Sequence, residues 1–184
     1  MRRIEQKNLF NQHYPLNPLT QLNYMNRTIL IAIGISCALI SAAGIMFWHN
    51  SPINTALRQL HSKNPSIRCD AIYTLGNLDA KETIPIIINL LQDDNPNVRV
   101  SAVDTLGTLH AKTAIPDITK LLKDNTPSVR GLAVQSLKHL DAKEAIPEIK
   151  QLLNDNYERV RKAADWALRK LGVPAEEIEK AKQK

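Results

Sequence analysis

The stretch "NPNVRVSAVDTLGTLHAKTAIPDITKLL", Asn95 to Leu122, decides the reading of this chain, because nearly the same phrase occurs on either side of it. From Asn64 the sequence is "NPSIRCDAIYTLGNLDAKETIPIIINLL", and from Thr126 it is "TPSVRGLAVQSLKHLDAKEAIPEIKQLL". Position by position the period is 31 residues. Arg68, Arg99, Arg130 and Arg161 share one column; Ala71, Ala102, Ala133 and Ala164 another; Leu75, Leu106, Leu137 and Leu168 a third; and Leu78, Leu109, Leu140 and Leu171 a fourth. Pro85, Pro116 and Pro147 mark one more. Independent columns at one short period are the signature of a solenoid, in which each unit buries its apolar face only against its neighbours.

Each unit divides into two helices. Ile67, Ala71, Leu75 and Leu78 are spaced four, four and three apart, one stripe of a first helix that starts after Asn-Pro or Thr-Pro. Gly76 and Gly107 in the last turn, then Asp79 or Asp141 with a small residue, suggest where that helix stops. Ile84, Ile87, Leu90 and Leu91 line one side of a second helix, with Pro85 in its first turn, where a missing N–H costs little. The ends of the array differ from its middle. Ile53, Ala56, Leu57 and Leu60 fit only the second helix of a unit, Asp165 replaces the apolar column of Ile72, Val103 and Val134, and the final "PAEEIEKAKQK" is nearly all polar. Those are the features of capping units.

Ahead of the repeats, "TILIAIGISCALISAAGIMFW", Thr28 to Trp48, contains no charged residue. As a helix it would reach about 31 Å, close to the thickness of a bilayer core. Arg27 closes one end, and Trp48 stands where an interfacial aromatic is expected. A buried core helix of this length would show a polar stripe, which is missing. A signal peptide starting at Met25 with cleavage near Ser41 and Ala43 is the other alternative, but the apolar run continues through Ile45, Met46 and Phe47. The preferred reading is an uncleaved anchor. The basic residues before the span favour a cytoplasmic N-terminus, which places the soluble domain on the periplasmic or extracytoplasmic side.

The expected fold is therefore all-α, a short right-handed α-solenoid of stacked helix pairs preceded by one transmembrane helix. Residues 1–27 form a disordered N-terminal tail, 28–48 the transmembrane helix or signal anchor, 52–173 the solenoid and 174–184 a polar C-terminal cap. Aromatics make up 4% of the 184 residues, so the core must be aliphatic. The net charge of +6 divides into +3 before the apolar run and +3 after it, too dilute for a nucleic-acid footprint. The two cysteines, Cys37 and Cys69, have no metal-ligand spacing and suggest no disulfide.

Arg after Val or Ile, Ala three residues on, then Leu-Gly-x-Leu, Ile-Pro and Leu-Leu, resembles a HEAT repeat, and the short period resembles the HEAT-like subtype of the phycobilisome lyases. The resemblance covers about 50–173. It implies the solenoid architecture, and it implies a choice of activities, since the group includes scaffolds, bilin-attaching lyases and a di-iron hydroxylase. The hydroxylase would need His-Glu pairs; His110 is followed by Ala111, His139 by Leu140, and no His-Glu dipeptide occurs in the chain. The lyase, binding a small ligand such as a bilin in the groove, stays as the alternative function.

The arginine column, Arg68, Arg99, Arg130 and Arg161, is read as a structural ladder, with guanidinium groups expected on Asp93, Asp124 and Asp155, which recur at the same period, or on loop carbonyls. His61, His110 and His139 have no second ligand three or four residues away, so no metal is expected. Cys69 lies off the apolar stripe and is expected at the surface. Trp166 is either a contact residue or packed under the C-terminal segment. The face of the second helices turned from the core carries Ile86 and Asn89, then Asp117 and Lys120, then Glu148 and Gln151, a mixed strip expected along the inner curve. Such a strip suits a protein segment better than phosphate. With no triad, carboxylate pair or phosphate loop in the sequence, the reading is a membrane-anchored scaffold without cofactor, binding a protein partner of unknown identity.

Overall fold

The repeat dictates the architecture unit by unit. The structure, a computed structural model, describes residues 51–182. The anchor expected at 28–48 and the tail at 1–27 lie outside the described residues. Among the described residues there is no strand, and no helix is long and apolar enough to cross a membrane.

Helix α1, Pro52–Gln59, holds the second-helix position ahead of the first full unit among the described residues. Three full units follow. Their first helices are α2 (Pro65–Asn77), α4 (Pro96–Thr108) and α6 (Pro127–His139). Their second helices are α3 (Ile84–Asn89), α5 (Ile115–Lys120) and α7 (Ile146–Gln151), each one entered and left through a turn of 3-10 helix. The last first helix is α8, Glu158–Lys170, and α9, Ala175–Lys182, closes the row. Consecutive first helices pack on one another, α2 on α4, α4 on α6 and α6 on α8.

Proline opens α2, α4 and α6, where its missing N–H is an orphan anyway. Asn64 and Asn95 cap α2 and α4 by accepting from the N–H of Ser66 and Asn97, both at 2.9 Å. The glycines fall in the last turn of the first helices, as expected from the sequence. Gly76 and Gly107 lie inside α2 and α4, and the reason is packing: a Cβ on Gly76 would sit 2.9 Å from Cγ2 of Thr105, and one on Gly107 2.8 Å from Oγ of Ser136. The stop comes three residues later, in a left-handed residue at one repeated position: Asp79 (φ 48°), His110 (φ 52°), Asp141 (φ 53°) and Gly172 (φ 88°). There the N–H of Ala80 bonds the carbonyl of Leu75, and that of Asp79 the carbonyl of Gly76, the Schellman arrangement, repeated in every later unit.

The core is a continuous aliphatic seam. Ala71, Leu75, Ile87 and Leu91 are buried, as are Ala102, Leu106, Ile118 and Leu122, then Ala133, Leu137, Ile149 and Leu153. Each large side chain so buried contributes roughly 1.5–3 kcal/mol. Two members of the expected stripe depart from it. Ile67 and Leu78 are 38% and 43% exposed, while their column mates Val98, Val129 and Val160, and Leu109, Leu140 and Leu171, are buried. The reason is position: among the described residues α2 packs on α4 and α1, and no first helix covers its other side. Cys69, expected at the surface, is half-buried against the core. At the other end Asp165 replaces the apolar column and is held by Arg169 and Lys182, which pull its carboxyl down to about 2. Helix α9 is not wholly polar: its Ile178 is buried in the seam.

Candidate functional site

Three features of the surface are built by the repeat, and they differ in what they can do. The first is the arginine column. Arg99 donates through Nε and Nη2 to the two carboxylate oxygens of Asp124 at 2.8 and 2.9 Å, and through Nη1 to the backbone carbonyl of Asp93 at 2.8 Å. Arg68 does the same with Asp93 and the carbonyl of Ser62, and Arg130 with Asp155 and the carbonyl of Asp124. Arg161 donates to the carbonyls of Asp155 and Asn156. Each aspartate therefore offers its side chain to one arginine and its carbonyl to the next, and the row runs from Arg68 to Arg161 through every turn between units. Oδ1 of each aspartate also accepts the N–H two residues on, from Asn95, Thr126 and Tyr157.

Burial is the largest single influence on Asp93 and Asp124 and works against their charge. The arginine hydrogen bonds, the turn N–H and the nearby guanidinium charges together outweigh it, so both carboxyls lie below the usual range. For Asp155 the hydrogen bonds from Arg130 are the main cause of the same shift. Arg68, Arg99 and Arg130 are each held by a carboxylate on one side and carbonyls on the other, whereas Arg161 donates to carbonyls through Nη1 alone.

The second feature is the second-helix strip. Ile86, Asn89, Lys120 and Gln151 are exposed, and Asp117 and Glu148 are half-buried. Asp117 accepts from Lys120 at 2.7 Å. Oε2 of Glu148 is shielded yet accepts no hydrogen bond. Ile86 is 39% exposed at the position where the next two units carry those carboxylates.

The third feature was not read from the sequence. On the first-helix side, α6 and α8 leave a groove of about 810 Å³ lined by Val100, Gly131, Leu132, Tyr157, Arg159 and Ala163, among others. It is largely apolar, and Tyr157 on its rim is 56% exposed. The signal was present in two columns that depart from the repeat. Position 131 is Gly where the other units have Cys69, Val100 and Lys162; position 132 is Leu, followed by Ala163, where the earlier units have Asp70 and Ser101. Neither departure lies on the core stripe, so a search for core columns passes over both.

The remaining candidates are isolated. Trp166 is 47% exposed, so it is not packed beneath α9; the ammonium of Lys138 sits 3.6 Å from its ring centre. His110 occupies the left-handed turn and His139 ends α6. Among the described residues no group of three His, Cys, Asp or Glu side chains is placed to hold a metal ion.

The chain is similar to several solved structures. One engineered protein is 18% identical, with a TM-score of 0.54, over 72% of this chain and 67% of its own. The CpcE–CpcF complex of phycocyanin lyase from Nostoc sp. PCC7120 is 22% identical, with a TM-score of 0.49, over 67% of this chain and 66% of its own. A computationally designed armadillo repeat protein for modular peptide recognition is 20% identical, with a TM-score of 0.49, over 70% of this chain and 68% of its own. At 18% identity the likeness to the engineered protein speaks to fold alone. No curated protein matches the chain. The family profile described as HEAT repeats matches residues 53–138 and again 115–182, together nearly all of the described solenoid. With that match, the buried repeat columns and the stacked helix pairs, this chain belongs to the HEAT-repeat family.

Proposed function

We propose that this chain is a single-pass membrane scaffold whose HEAT-repeat solenoid holds a protein partner close to the bilayer. The apolar run at 28–48 would serve as the anchor, and the charge bias around it favours the solenoid on the extracytoplasmic side. A helical-repeat scaffold suits protein binding, because stacked units leave long side faces wet while the seam between them is filled. The partner surface in this reading is the second-helix strip of Ile86, Asn89, Asp117, Lys120, Glu148 and Gln151. The observation that carries it is the exposed Ile86, an apolar side chain at the head of a row whose later members bear charge. An apolar contact flanked by fixed charges gives affinity and register together.

Photo-crosslinking groups at positions 120 and 151 of the full chain in membranes test the reading. One discrete protein adduct from both positions, absent from a group at position 139, is expected. Adducts no stronger than that control would overturn it. A reporter fused after Lys184 that works only in the cytoplasm would overturn the orientation. Binding of a linear tetrapyrrole with a change in its absorbance would replace the scaffold with the lyase alternative.

A further inference from the structure

The groove between α6 and α8 is made by choices that packing does not require. Gly76 and Gly107 are needed, since a side chain there would strike the next helix. Gly131 is not: a Cβ built on it meets nothing within 4 Å. A glycine inside a helix costs about 1 kcal/mol relative to alanine. At position 131 that cost brings no closer helix contact. What it brings is a notch in the apolar floor, beside Leu132 and opposite Ala163.

The walls of the groove continue past the notch. Ser128, Gly131, Gln135 and Lys138 follow one another at helical spacing along α6, and Arg159, Ala163, Trp166 and Lys170 along α8. The Lys138 ammonium over the Trp166 ring joins the two stripes at the far end. Arg159, Lys138 and Lys170 form no ion pair among the described residues, and the lysine pair is crowded: burial, then the charge of Lys170, lowers the pKa of Lys138. The carboxylate on the rim, Glu158, is already held by Lys162 at 2.7 Å. The groove therefore has an apolar floor, two exposed aromatic side chains and uncompensated positive charge at both ends, about 16 Å apart along α8.

We propose that this groove docks a peptide segment of a partner protein in which apolar side chains are flanked by carboxylates. The notch over Gly131 takes an apolar side chain, Tyr157 and Trp166 stack on its neighbours, and Arg159 and the Lys138–Lys170 pair bind the acidic flanks. The site stands apart from the second-helix strip and does not depend on it.

Selection of a displayed random-peptide library on the full chain tests the proposal, with the Gly131→Gln chain as counter-target. A Cβ at position 131 meets nothing within 4 Å, the groove is open to solvent, and the helix gains propensity, so the variant is expected to keep or raise its melting temperature. The expected result is a set of apolar, acidic peptides whose affinity, measured by fluorescence anisotropy, falls about tenfold or more on Gly131→Gln. Arg159→Glu should weaken the same peptides, and Lys120→Glu on the second-helix strip should leave them unchanged. Enrichment of basic peptides, or equal binding to wild type and Gly131→Gln, overturns it. So does self-association of the full chain that Gly131→Gln abolishes, which would assign the groove to a second copy. Loss on Lys120→Glu with none on Gly131→Gln would support the strip reading and sink this one.

Discussion

Arg99 and Asp124, 25 residues apart in the chain, meet in a two-pronged ion pair whose side chains are only 14% and 8% exposed. The same arginine binds the carbonyl of Asp93 behind it, so one side chain spans the turns on either side of its unit. Hydrogen bonds to charged groups of this kind contribute about 1.5–3 kcal/mol each when they are shielded from water.

Arg99→Met should therefore lower the unfolding free energy by about 2–3 kcal/mol, because it leaves the Asp124 carboxylate desolvated with only Thr126 to donate to it. Urea melts of wild type and variant check this. Unchanged stability would mean that the row decorates the fold without holding it.

Acid should weaken the solenoid through the same residues. Asp93, Asp124, Asp155 and Asp165 have native pKa values below the unfolded value of about 3.9, Asp165 at about 2. Their stabilisation is fully present above about pH 4 and is lost as pH falls through the native values, since the unfolded chain binds protons first. Urea midpoints at descending pH should drop below about pH 4, and Asp124→Asn should flatten that fall while lowering stability at neutral pH.

The two kinds of glycine give opposite expectations for one substitution. Gly107→Ala puts a Cβ 2.8 Å from Oγ of Ser136, a side chain itself tied to the carbonyl of Val103, and should cost about 1–3 kcal/mol. Adding Ser136→Ala should recover part of the loss, a coupling that a double-mutant cycle measures. Gly131→Ala, with open space around it, should instead stabilise by about 1 kcal/mol.

His110 adopts a left-handed backbone at φ 52° to end α4. His110→Gly should raise the unfolding free energy by about 0.5–1 kcal/mol, after the greater freedom of glycine in the unfolded chain is subtracted, and the melting temperature with it. His110→Val should lower it, because a branched side chain tolerates that conformation least. Thermal melts of the two variants should move in opposite directions.

The sequence by itself determined the all-helical repeat. Columns such as Ala71, Ala102, Ala133 and Ala164 survive only where every unit must meet the same neighbour, so periodicity reveals the seam. It also marked Asp165 and the segment "PAEEIEKAKQK" as departures from the apolar columns. Only the tertiary structure decided what the exceptions mean. Gly76 and Gly107 read as last-turn glycines in one dimension; in three they are also the points where first helices touch. Ile67 and Leu78 read as core, and their exposure follows from the lack of a first helix beside them among the described residues. The groove over Gly131 comes from α6 and α8, whose facing residues lie about 30 apart in sequence. A surface shared between two helices has no period of its own, and distance in space, not spacing along the chain, is what creates it.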